Sequence, residues 1–100
     1  MLRCIDNSIY TGITTDIERR MREHFEQSEK CAKYTLRHSP QKLERVWETE
    51  NRVLASKLEF FIKKLKKAQK EKLIKEPNLL SKYLSKKIDC EAYKVFCFEM

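Results

Sequence analysis

The sequence predicts an α+β fold, a small three-stranded antiparallel sheet flanked by helices. Three observations predict it. A polar turn near the N-terminus separates two short β-type stretches, a capped amphipathic helix follows at once, and a third β-type stretch precedes a long lysine-rich helical region. One hundred residues is the size of one domain, and such a chain buries roughly 60–65% of its unfolded surface.

The first strand covers the apolar-leaning residues 1–5, and residues 9–14 alternate. Ile9, Thr11 and Ile13 fall on one face, and Tyr10 and Gly12 on the other. Asp6, Asn7 and Ser8 between them are turn residues, because Asp and Asn tolerate the left-handed conformation. Gly12 is the only glycine of the protein, which marks a place where a side chain would obstruct something. A phosphodiester is the expected visitor.

A helix is expected from Thr15, which with Glu18 forms a capping box, Asp16 adding negative charge at the positive end of the helix dipole. At about 100° per residue, Ile17, Met21 and Phe25 form its buried stripe, with Arg20 at the edge and His24 between Ile17 and Arg20 in azimuth. Arg19 and Arg22 point to solvent. Residues 26–41 form a basic loop, in which Lys30, Lys33, Arg37 and His38 surround Tyr34. Basic residues interleaved with an aromatic suit a nucleic-acid contact and suit a solvated loop equally.

Leu43 to Thr49 reads as the third strand, at a sheet edge. Asn51 caps a second helix with Leu54, Leu58, Phe61, Ile62 and Leu65 as its apolar stripe. Glu59 lies beside that stripe, as a surface residue or as an inward-facing ligand. Helix continues over residues 63–76 with a break near Lys66, and Pro77 ends it. A short amphipathic helix over 78–87 and a β-type tail from Ala92 complete the chain.

Net charge is +7, from 22 Lys+Arg against 15 Asp+Glu, which suits a polyanionic partner, nucleic acid ahead of an acidic membrane surface, and also suits a plain well-solvated lysine-rich surface. Cys4, Cys31, Cys90 and Cys97 form no CxxC pair and share no metal-ligand spacing with His24 or His38. Free thiols in the cytoplasm are expected. No signal peptide is expected before Leu2, and no apolar run approaches the roughly 18–20 residues of a membrane span.

Tyr10-Thr11-Gly12, followed by Asp16-Ile17-Glu18-Arg19-Arg20 and His24, resembles the second half of the GIY-YIG nuclease signature. The small stand-alone bacterial members typically read LYTGITTDLERRLAEH, then GAKYT, then EYxIKxL. The counterparts here are IYTGITTDIERRMREH, the Cys31–Thr35 segment CAKYT, and Glu59 to Leu65. The resemblance covers residues 1 to about 76, taken as the GIY-YIG domain (1–76), with 77–100 as a C-terminal extension packing on it. It implies a three-stranded sheet flanked by helices and metal-dependent hydrolysis of DNA phosphodiesters, in repair or processing.

The implied catalytic residues are Tyr10, to activate or position water, Arg20, to hold the phosphate, Glu59, to ligate one Mg²⁺ or Mn²⁺, and His24 at the rim of the site. Gly12, Lys33, Tyr34 and Arg37 are the expected nucleic-acid contacts, with DNA ahead of RNA. The GIY half of the signature implies a further tyrosine just before Met1, where relatives run approximately YVYMLRC, so a truncated first strand is expected. Ile13 stands where larger members often carry lysine. Two alternatives accompany the nuclease: a nucleic-acid-binding module with weakened catalysis, and an interaction protein whose C-terminal strand adds to a partner or to its own clipped sheet.

Overall fold

The computed structural model describes residues 1–26 and 37–96, and the chain divides into two compact units, Met1–Glu44 and Arg45–Met100. As expected, the architecture is α+β with a three-stranded antiparallel sheet among the described residues.

In the first unit, β1 (Leu2–Cys4) is the central strand, between β2 (Ile9–Tyr10) and β3 (Pro40–Leu43). The β1–β2 turn forms as the sequence requires. Asn7 takes φ 69°, a left-handed conformation that Asn accepts at low cost. The Asp6 carboxylate accepts the Ser8 amide at 3.1 Å and the Ser8 hydroxyl at 2.5 Å. Arg3 is buried on the sheet, and its guanidinium donates to Asn7 Oδ1 at 3.1 Å and to Glu44 Oε2 at 3.2 Å. A buried charge is tolerable only when paired in this way.

The third strand lies earlier than Leu43–Thr49. In β3, Leu43 stands opposite Leu2 and Lys42 opposite Arg3, and a bulge then brings Pro40 opposite Cys4. Proline fits at the start of an edge strand, where its missing N–H breaks no ladder bond. The β-type residues that follow belong to a different sheet. Trp47–Glu48 (β4) pairs antiparallel with Lys94–Val95 (β5) in the second unit. The C-terminal strand is thus already paired within its own chain.

Helix α1 (Ile17–Phe25) starts one residue later than the capping box suggested. Asp16 is the N-cap, with its carboxylate accepting from the Arg19 amide at 3.1 Å. Thr14, through a 3.1 Å bond from the Asp16 amide to its hydroxyl, holds that residue in an extended conformation. The helix is also rolled relative to the apolar stripe. His24 is its buried residue, Ile17, Arg20 and Met21 are half-buried, and Phe25 is 39% exposed.

In the second unit, α2 (Arg52–Lys63) starts at Asn51, whose side chain accepts the Leu54 amide at 2.9 Å. Leu58 and Ile62 are its buried residues. The break falls at Lys64–Lys66, and α3 (Lys67–Lys75) follows with Leu73 and Ile74 buried. After Pro77, α4 (Leu79–Leu84) buries Leu80 and Leu84 and packs on α3. A 3₁₀ turn, Cys90–Ala92, leads into β5. The Tyr93 hydroxyl donates to the Leu54 carbonyl at 2.7 Å and Thr49 Oγ1 to the Ala92 carbonyl at 2.8 Å. These bonds tie the C-terminal stretch to α2 and to the segment after β4.

Candidate active site

Pairing of Leu2 with both Tyr10 and Leu43 places these three residues on one face of the first unit's sheet. Helix α1 packs on that sheet, touching β3. The Tyr10 ring meets the His24 ring there, with centroids 5.3 Å apart and planes inclined by 53°. The strand expected over residues 9–14 ends at Tyr10, but Gly12 still lies against the Tyr10 ring. A Cβ at Gly12 would lie 2.7 Å from the Tyr10 hydroxyl oxygen and 2.8 Å from its Cε2. Gly12 has no positive φ. The protein's one glycine is therefore explained by the Tyr10 ring lying across it, a closer cause than approach of a substrate.

Arg20 sits one turn before His24 on α1. Its side chain is 22% exposed and donates to Glu23 Oε1 at 3.2 Å. His24 is 1% exposed, so it lies beneath the site and not at its rim. Burial pushes its imidazole down to a pKa of about 4, the nearby Arg20 guanidinium reinforces that shift, and Glu23 opposes it. His24 is therefore neutral at pH 7. The first unit thus gathers Tyr10, Gly12, Arg20 and His24, while Arg19 and Arg22 stay exposed as expected.

Two members of this group carry no strong signal in the sequence. Glu23, the partner of Arg20, is visible only as an i,i+3 pair on α1. Thr11 is buried beside Tyr10, and its Oγ1 is the buried side-chain oxygen without a hydrogen-bond partner among the described residues. Such groups are uncommon in folded proteins. The pattern TG after Tyr10 gave no hint of it.

Glu59 belongs to the second unit, on α2. Its carboxylate is 25% exposed and faces Lys63 Nζ at 3.7 Å, one turn later, an arrangement between the two alternatives left open by periodicity. Among the described residues, no three or more His, Cys, Asp or Glu side chains gather to hold a metal ion. One accessible carboxylate held by a long ion pair suits a cation that takes most of its ligands from water and phosphate oxygens, as Mg²⁺ commonly does. It does not suit an all-protein cage.

Arg37 is exposed. His38 Nδ1 bonds to the Asp6 carboxylate, and Asp6 is held well below the usual carboxylate range, first by the Ser8 hydroxyl and then by His38. Lys33 and Tyr34, with the whole CAKYT segment, lie outside the described residues.

Comparison with known proteins follows the same lines. A family model described as the GIY-YIG catalytic domain matches residues 1–73. The UPF0213 protein FN1575 of Fusobacterium nucleatum is 42% identical over 96 residues, covering 96% of this chain and 94% of that protein. The UPF0213 proteins YhbQ of Salmonella arizonae and of Escherichia coli O127:H6 are each 40% identical over 85 residues, covering 85% of this chain and 83% of theirs. No solved structure gives a significant match. With the tyrosine, glycine, arginine and histidine of the motif on a three-stranded sheet and its first helix, the chain belongs to the GIY-YIG family.

Proposed function

We propose that this protein is a nuclease that hydrolyses phosphodiester bonds of nucleic acid, DNA ahead of RNA, with one divalent cation, Mg²⁺ or Mn²⁺. The observation that carries the proposal is the contact of Tyr10 with His24, one turn from Arg20 on the same helix, in a family of the nuclease superfamily.

The Tyr10 hydroxyl is the polar group on a ring fixed from two sides, by His24 and by Gly12. It orients the attacking water. Arg20 binds a non-bridging phosphate oxygen and offsets the charge that develops on it. Its present acceptor, Glu23, keeps the guanidinium in place until a phosphate arrives. His24 acts through Tyr10, holding the ring from below as a buried, neutral imidazole. Glu59 would hold the cation, on the strength of its place in the Glu59–Leu65 motif. When bound, a divalent cation polarises the phosphoryl group and stabilises the leaving oxygen. The proposal extends to a GIY-YIG domain over 1–76 with 77–100 as its extension, and to a cytoplasmic location.

The test is cleavage of branched, single-stranded and duplex DNA and RNA, each with Mg²⁺ or Mn²⁺. Tyr10→Phe, Arg20→Ala and Glu59→Gln should each lower the rate by about 100-fold or more, the usual loss for one transition-state contact. Binding with no cation-dependent cleavage of any substrate would instead establish the module with weakened catalysis.

A further inference from the structure

Charge is divided unevenly between the two units. Of the 22 basic and 15 acidic side chains, 14 and 8 lie in Arg45–Met100, leaving +6 there and +1 in Met1–Glu44. Seven lysines fall between Lys63 and Lys75. Just before them lies an aromatic that the core does not use, Phe60.

On α2, Val53, Lys57, Phe60 and Lys64 recur at i, i+4, i+7 and i+11 and so share one face, opposite buried Leu58 and Ile62. Val53 is 76% exposed and Phe60 52%. The Phe60 ring is not loose. It meets Phe61 edge-on, with centroids 5.2 Å apart and planes at 82°, and Lys64 Nζ stands 4.2 Å from its centroid. Lys66 and Lys67, both exposed, follow directly in the chain. Lys63 differs in facing Glu59.

We infer that this outer face of α2, continuing into the start of α3, is a docking surface for single-stranded nucleic acid. One unpaired base stacks on Phe60, and the phosphates to either side lie on Lys57, Lys64, Lys66 and Lys67. A fixed aromatic with half its surface in water, among cations, is the combination that binds single strands without reading sequence, because every base offers a π-face and every linkage a charge. Exposed lysines alone would serve any polyanion. The ring is what distinguishes an unpaired base from a duplex or an anionic lipid. The inference rests on the proposed action on nucleic acid and adds where a strand is held.

The test measures binding of fluorescent dT15 and of a blunt duplex by anisotropy, in EDTA, across a series of NaCl concentrations. Working without divalent cation separates this surface from catalysis: loss of cleavage with these binding results intact would count against the nuclease proposal alone. The combined variant Lys57→Gln, Lys64→Gln, Lys66→Gln, Lys67→Gln should reduce the salt slope for dT15 by about 3, at about 0.7 per phosphate contact. The matching Lys→Arg variant should keep the wild-type slope. Phe60→Leu should weaken dT15 binding roughly 5- to 150-fold, the weight of one stacked base, with the slope unchanged. Phe60→Tyr should retain affinity, and duplex binding should be indifferent to both changes. An unchanged slope in the glutamine variant, equal affinity of Phe60→Leu and wild type for dT15, or binding of wild type to phosphatidylserine vesicles but to neither nucleic acid would overturn the inference.

Discussion

Acid should destabilise this protein through His24, and the size of the effect follows from its position. The side chain is 1% exposed and neutral, with its pKa lowered from 6.5 to about 4. The unfolded chain takes up a proton as the pH falls through about 6.5, whereas the folded chain does so only near 4. Between those values the unfolded state binds more protons, so stability is present above the upper value and is lost as the pH falls. At 1.36 kcal/mol per pH unit, the loss is about 2 kcal/mol between pH 7 and pH 5 and about 3 kcal/mol by pH 4. Asp6 contributes little in the upper part of this window, because its carboxylate is ionised there in the folded and the unfolded chain alike; its own loss begins only as the pH nears the ordinary carboxylate range. Urea unfolding followed by far-UV circular dichroism at pH 7, 6 and 5 should show that loss in the wild type. His24→Gln, less stable at pH 7, should show almost none of the pH dependence. In NMR the ring protons of His24, assigned by their disappearance in the variant, should titrate below pH 5. A titration midpoint near 6.5, or the same pH dependence in both proteins, would refute the claim that burial holds this imidazole neutral.

Three further outcomes follow from local geometry. Gly12→Ala puts a methyl group within 3 Å of the Tyr10 ring, at a cost of about 1–3 kcal/mol for overpacking. It should displace that ring from His24, seen as a change in the His24 chemical shifts. Asp16→Ala removes the acceptor for the Arg19 amide and should cost about 1 kcal/mol, lowering the melting temperature by roughly 4–8 °C in a domain of this size. Tyr93→Phe deletes the bond to the Leu54 carbonyl and should cost about 1 kcal/mol, measured by denaturant midpoint.

What the sequence determined by itself is local. Asp6-Asn7-Ser8 encodes the turn because the left-handed residue must be one that tolerates it, and φ of Asn7 obeys. Asn51 encodes a helix start, the stretch before Lys67 a break and Pro77 an end, since each acts through its own backbone bonds. The motif from Tyr10 to His24 carries the family for the same reason, as residues close in sequence keep fixed spacing on a hairpin and a helix.

The tertiary structure decided what depends on distant partners. Pro40–Leu43 became the third strand because it fits the register of Leu2–Cys4. Trp47 and Glu48, equally β-prone, joined Lys94 and Val95 instead, a choice that no local window contains. Helix α1 rolled to bury His24 against Tyr10 and expose Phe25, since a hydrophobic stripe does not record what it must pack on. Gly12 shows the difference most plainly. Its being the only glycine told of a close approach, and the fold supplied the object approached, the ring of a residue two positions away.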